Sequence, residues 1–106
     1  MVELRRFMRA PLNHPLEWSS KDGGDVERVE GTARDISVGG MFIESSFPAP
    51  FGQQVRVHIK LPGTKGEVSL PGVVRWTRPG GMGVQFGLLG ARETHAITEI
   101  VKKAEM

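Results

Sequence analysis

Val55-Arg56-Val57-His58-Ile59-Lys60-Leu61 alternates apolar and polar residues without a break. Successive side chains of a strand point to opposite faces, so Val55, Val57, Ile59 and Leu61 share one side and Arg56, His58 and Lys60 the other, which predicts a half-buried strand. Turn-forming residues bound it on both sides: Phe47-Pro48-Ala49-Pro50-Phe51-Gly52 before and Pro62-Gly63-Thr64-Lys65-Gly66 after. Beyond the second turn, Glu67 to Thr77 reads as a strand, and Arg78-Pro79-Gly80-Gly81 turns the chain into another from Met82 to Leu88. Upstream, Gly40 to Glu44 is a short apolar strand. Asp25 to Asp35 alternates in part through Val26, Val29, Gly31 and Ala33, and the turn Lys21-Asp22-Gly23-Gly24 separates it from Leu12 to Ser19. Short strands at this spacing predict an all-β fold, a small antiparallel β-barrel of six to seven strands.

The period changes after Gly90. In Ala91 to Glu105 the residues Ile97, Ile100, Val101 and Ala104 fall at i, i+3, i+4 and i+7, which predicts an amphipathic C-terminal α-helix packed on the barrel. Lys102 and Lys103 suit the negative end of the helix dipole. The segment has no large aromatic residue and carries Glu93, Glu99 and Glu105, which argues against a membrane-surface role.

A chain of 106 residues has room for one core, and 39% apolar with 25% charged residues is a globular composition. There is no cysteine, so disulfides and thiolate metal sites are excluded and a reducing, cytoplasmic setting is expected. No apolar run is long enough for a membrane span, and none follows the first arginines as a signal peptide requires, so no membrane insertion is expected. His14, His58 and His95 lack metal-ligand spacing, so no metal site is expected. No nucleophile has a neighbouring base to activate it, and Asp35 beside Ser37 is not a triad, so the chain is not expected to be an enzyme. The net charge is only +2, and Arg5, Arg6, Arg9, Arg28 and Arg34, with His14, gather in the first third. That distribution favours a local anion site over a nucleic-acid stripe. The five Phe and two Trp lie mostly in apolar strand contexts and do not display a series of exposed platforms interleaved with basic residues, so no nucleic-acid partner is expected.

Two short motifs carry the functional reading. Arg5-Arg6-Phe7-Met8-Arg9 contains R-x-x-x-R, and Asp35-Ile36-Ser37-Val38-Gly39-Gly40 reads D-x-S-x-x-G. Arginine presents a planar fork that grips phosphate, covers the O6/N7 edge of guanine or stacks on a base. An ionised Asp35 only accepts hydrogen bonds, and guanine offers adjacent N–H donors on its Watson–Crick edge. Ser37 adds a hydroxyl, and Gly40 allows backbone to approach a ligand. Either motif alone is compatible with a basic patch or a plain turn. Together and in this order they suit a small anionic ligand with two phosphates and two guanines.

These motifs, with Leu4 to Pro11, Asp35 to Ile43, Gly72-Val73-Val74-Arg75-Trp76 and Gly81-Met82-Gly83-Val84-Gln85-Phe86, make the chain resemble the PilZ family along essentially its whole length. The resemblance implies one PilZ domain over 1–106, with a flexible arginine-bearing arm (1–10), a PilZ-type barrel (11–89) and the C-terminal helix (90–105). It implies a non-enzymatic receptor for the bacterial second messenger cyclic di-GMP, without a cofactor, that orders its arm on binding and signals to a separate protein partner. Arg5 and Arg9 match the arginines that hold phosphates and guanines, and Asp35, Ser37 and Gly40 match the second motif. Arg6 is a further candidate that either touches the ligand or only raises the local potential, and Trp76 stands where family members often carry an aromatic near the ligand. On strand periodicity Trp76 shares a face with Val74, which places it in the core or in an apolar patch, with Arg75 on the opposite side in solvent. Leu4 stands where some members carry another basic residue, so one ligand per chain is expected. The alternative is a PilZ-fold protein-interaction adaptor that does not depend on cyclic di-GMP.

Overall fold

Alternating valines and isoleucines make strands that can bury only one face each, and six such strands bury those faces by curling into a closed barrel. The structure, a computed structural model, describes residues 9–21 and 27–104. Its elements are β1 (Ala10–Ser20), β2 (Val29–Ile36), β3 (Gly40–Glu44), β4 (Gln54–Ile59), β5 (Val68–Arg78), β6 (Gly81–Phe86) and α1 (Ala91–Ala104). The strands run in the order β1-β2-β3-β6-β5-β4, every neighbouring pair is antiparallel, and β1 closes the ring by pairing with β4 through Leu16↔Ile59 and Trp18↔Val57. The expected arm falls on residues 1–10, of which 1–8 lie outside the described residues, and β1 begins at Ala10.

The barrel interior is the core. Leu16, Trp18, Ile36, Met41, Ile43, Val55, Val57, Ile59, Leu70, Val74, Met82 and Val84 are all buried in it. The Val55–Leu61 alternation is realised as expected, with all four aliphatic residues buried. His58, on the outer side of that strand, is nevertheless buried too, because its Nε2 lies 2.8 Å from the buried Ser19 hydroxyl and the charges of Arg28, Glu67, Glu17 and Arg56 surround it. The helix packs Ala96, Ile97 and Val101 against the barrel, while Ala104, expected on the apolar face, is exposed. Among the described residues no helix is long and apolar enough to cross a membrane.

Strand parity breaks at two places that matter for the outer surface. Between Ala33↔Ile43 and Asp35↔Phe42, β2 carries one extra residue relative to β3, and between Val74↔Val84 and Trp76↔Gly83, β5 carries one extra relative to β6. Such bulges reverse which face the following side chains occupy. The second one corrects the expectation for Trp76. Val74 is fully buried and Trp76 is 43% exposed, so the two lie on opposite faces, and Trp76 joins Arg75 on the outside.

Candidate functional site

The two bulges align residues that sequence spacing keeps apart. Reading across the outer surface, Pro11 pairs with Asp35, Asp35 with Phe42, Phe42 with Gly83, and Gly83 with Trp76, which makes one cross-strand row over β1, β2, β3, β6 and β5. Neighbouring strands lie about 4.8 Å apart, so the row from Asp35 to Trp76 is about 14 Å long.

At the first end, Asp35 Oδ1 accepts from Arg9 Nη2 at 2.8 Å, from Arg9 Nε at 3.2 Å and from the Phe42 backbone N–H at 3.2 Å. The bulge takes the Phe42 N–H out of the strand ladder, and the carboxylate satisfies it instead. Asp35 Oδ2 accepts no hydrogen bond among the described residues, and the side chain is part-exposed. Arg9 and Asp35 are 49% and 33% exposed at their side chains, so the ion pair is a solvated one that a ligand can reach and rearrange. The structure thus brings Arg9 and Asp35 together, as the two motifs imply, while Arg5 and Arg6 lie outside the described residues.

Ser37 and Gly40 have a different physical role from the one their residue types suggest. Ser37 is 1% exposed, and its Oγ accepts from the backbone N–H of Gly39 at 3.1 Å and of Gly40 at 3.2 Å, closing the turn between β2 and β3. A Cβ at Gly40 would strike the backbone carbonyl oxygen of Val84 and come within 3.3 Å of Gln85 Cα. The glycine is therefore demanded by the approach of β3 to β6. Both residues shape the turn that presents Asp35, and the Ser37 side chain is buried.

At the far end, Phe42 and Trp76 reach over Gly83 and stack, with centroids 5.3 Å apart and planes inclined by 18°. Added Cβ atoms at Gly81 and Gly83 would fall 2.6 Å from Phe42 Cε1 and 2.5 Å from Trp76 Cε2, so the rings rest directly on β6 backbone. The Arg78 guanidinium carbon sits 5.5 Å from the Phe42 centroid and 5.3 Å from that of Trp76, within cation–π range of both. Sequence reasoning did not single out Phe42 or Arg78. The readable signal was Gly81-x-Gly83: two glycines at period two clear one face of a strand, and something large from its neighbours fills it.

A concavity of about 1100 Å³ lies elsewhere, between Glu17, Glu30, Glu44, His58 and Glu67. Arg28 bridges Glu17 at 3.3 Å and Glu67 at 3.1 Å there, and Arg34 lies 3.6 Å from Glu44. The Ser19–His58 pair beside it has the spacing of a nucleophile and base, but both groups are buried and no carboxylate hydrogen-bonds the ring among the described residues. Burial holds the His58 imidazole below its ordinary 6.5, helped by Arg28 and opposed by Glu67 and Glu17. Among the described residues no group of His, Asp and Glu is placed to hold a metal ion.

The structure is a closed six-stranded antiparallel barrel with one C-terminal helix, carrying an acid–arginine pair and an aromatic stack on its outer wall. The chain belongs to the PilZ family: the family model for the PilZ domain matches residues 3–103. Solved structures agree in fold. The PilZ domain of CeSA from a cellulose-synthesizing bacterium is 24% identical with a TM-score of 0.70, covering 92% of this chain and 98% of that one. The PilZ domain of YcgR from Escherichia coli, solved with c-di-GMP, is 13% identical with a TM-score of 0.70, covering 95% and 91%. The Bacillus subtilis inhibitor of motility MotI/DgrA is 17% identical with a TM-score of 0.73 over 95% of this chain, which spans 51% of that protein. No curated protein matches the sequence.

Proposed function

We propose that this PilZ protein is a non-enzymatic, cytoplasmic receptor for cyclic di-GMP. The observation that carries the reading is the ion pair between Arg9 of the first motif and Asp35 of the second, which unites both motifs at one end of a row that ends in stacked aromatics. In this reading Asp35 Oδ2 accepts from the N–H donors of one guanine, and Arg9, with Arg5 and Arg6, takes phosphate oxygens and the guanine O6/N7 edge. Trp76 offers a base its exposed face. Ser37 and Gly40 act by holding the turn. The YcgR domain solved with c-di-GMP shares the fold and supports the ligand class.

Binding would draw residues 1–10 across the barrel wall, since Arg5 and Arg9 gain an anionic partner there. The surface so assembled is what a partner protein would read, with one ligand per chain and no cofactor. Calorimetric titration with cyclic di-GMP, with cyclic di-AMP and GTP as controls, tests the assignment. Guanine-selective binding at a ratio near one is expected, and failure to bind cyclic di-GMP overturns it. Hydrogen exchange tests the arm: amides from Leu4 to Ala10 should slow on adding ligand, while those from Val55 to Leu61 change little.

The alternative, an adaptor independent of the ligand, draws on one observation. Phe47 and Phe51 are 75% and 68% exposed on the β3–β4 loop, and that loop is tied down by the buried Ala49, whose N–H donates to Met82 Sδ. Exposed phenylalanines on an anchored loop are surface that a partner protein could cover. Partner capture unchanged by cyclic di-GMP and by loss of Asp35 would favour this second reading.

A further inference from the structure

Arg78 stands out among the arginines of the barrel by its company. Arg9 pairs with Asp35, Arg28 with Glu17 and Glu67, and Arg34 with Glu44, while Arg56 and Arg75 bond the neutral side chains of Ser69 and Gln85. Arg78 meets no carboxylate among the described residues and rests on two aromatic rings. The bed beneath it is built in place, because Gly81 and Gly83 let Phe42 and Trp76 lie on β6 backbone. Trp76 keeps 43% of its surface exposed in spite of the stack. A partly uncovered aromatic under a guanidinium that meets no carboxylate among the described residues offers ring surface and a hydrogen-bonding edge.

The chemistry of the two ends of the row differs accordingly. The aromatic face is electron-rich, so it accepts a base and repels a phosphate. A base laid on the exposed part of Trp76 brings its edge against the Arg78 fork. Guanine presents two acceptors there, O6 and N7, which suit an arginine fork, whereas adenine replaces O6 with the N6 amino donor, which opposes it. Asp35, a pure acceptor, selects guanine donors at the other end of the row.

Building on the receptor reading, we propose that Arg78, held on the Phe42–Trp76 stack, is the specificity-determining residue for the second base of the cyclic dinucleotide. One guanine is read at Asp35 and the other at Arg78, so the two ends of the row select the two bases separately.

The test uses the intact chain and its Arg78→Ala and Arg78→Gln variants, each checked for wild-type circular dichroism and titrated calorimetrically with cyclic di-GMP and with cyclic GMP–AMP. Cyclic GMP–AMP can satisfy Asp35 with its guanine and presents adenine to Arg78. The wild-type protein should prefer cyclic di-GMP by about tenfold or more, the scale of one arginine–guanine pair. Both variants should bind cyclic di-GMP about tenfold more weakly and bring the two ligands to within about threefold of each other. A variant that keeps the wild-type preference overturns the proposal, and so does one that weakens both ligands equally, since that is the signature of a phosphate contact. Wild-type protein that binds neither ligand defeats the receptor reading itself, whereas binding that depends on Asp35 but not on Arg78 defeats only the second-base assignment.

Discussion

The barrel wall carries two clusters that each join arginine to a carboxylate, and they differ in what they leave unsatisfied. On β1 and β4, Ser19 and His58 are buried against each other and Arg28 is held between Glu17 and Glu67, so donors and acceptors meet within the chain. On β2, β3, β6 and β5, among the described residues, one Asp35 oxygen accepts no hydrogen bond, Trp76 stays 43% exposed and Arg78 meets two aromatic rings but no carboxylate. A concavity of about 1100 Å³ belongs to the first cluster, while the residues of the proposed site belong to the second. An anionic ligand needs charge and π-faces with bonds still to make, and Arg28, Glu17 and Glu67 are already engaged with one another.

The sharpest way to break the comparison is to disable each cluster in turn and measure cyclic di-GMP binding. Charge-assisted hydrogen bonds contribute about 1.5–3 kcal/mol each, so Asp35→Ala or Arg9→Ala should weaken binding roughly tenfold to more than a hundredfold, while Glu17→Ala and Arg28→Ala leave the calorimetric affinity unchanged. A larger loss from the β1–β4 variants would reverse the assignment of the two faces.

A second measurement separates presentation from contact within the active-looking face. Removing the base platform with Trp76→Ala should cost about 1–3 kcal/mol of ligand binding with little change in thermal stability, because the ring lies outside the core. Gly40→Ala should do the reverse. It forces a methyl into β6 backbone and should lower folding stability by about 1–3 kcal/mol in denaturant unfolding. If Gly40→Ala folds with wild-type stability and loses only binding, the glycine serves ligand approach after all.

The smallest expected effect concerns pH and the closed cluster. The His58 pKa is depressed in the folded state, so the chain keeps the full contribution of the neutral ring above its unfolded value of 6.5 and loses it as pH falls below that toward the folded value. Folding stability should therefore decline on acidification from pH 6.5 in the wild-type protein. In His58→Gln the decline should be shallower, as read from unfolding midpoints across the pH series. Equal slopes would show that another group dominates the acid response.

Much of this was legible along the chain. The β4 alternation, the turn clusters and the change of period after Gly90 predicted the strands and the helix, since each signal is written within a few residues. The two motifs marked Arg9 and Asp35, which the fold places 2.8 Å apart. The sequence did not show what already engages the second motif: Ser37 Oγ accepts from Gly39 and Gly40 within its own turn, and the Val84 carbonyl of β6 lies against Gly40.

Local sequence determined which residues alternate, where the chain turns, and which charged groups could bind a guanine-bearing anion, because strand and helix periods are properties of short segments. Tertiary structure alone decided the two bulges, the row from Asp35 to Trp76 and the seating of Arg78 on two rings. Register is set by packing across strands, and one extra residue in β5 was enough to carry Trp76 from the predicted core to the outer wall.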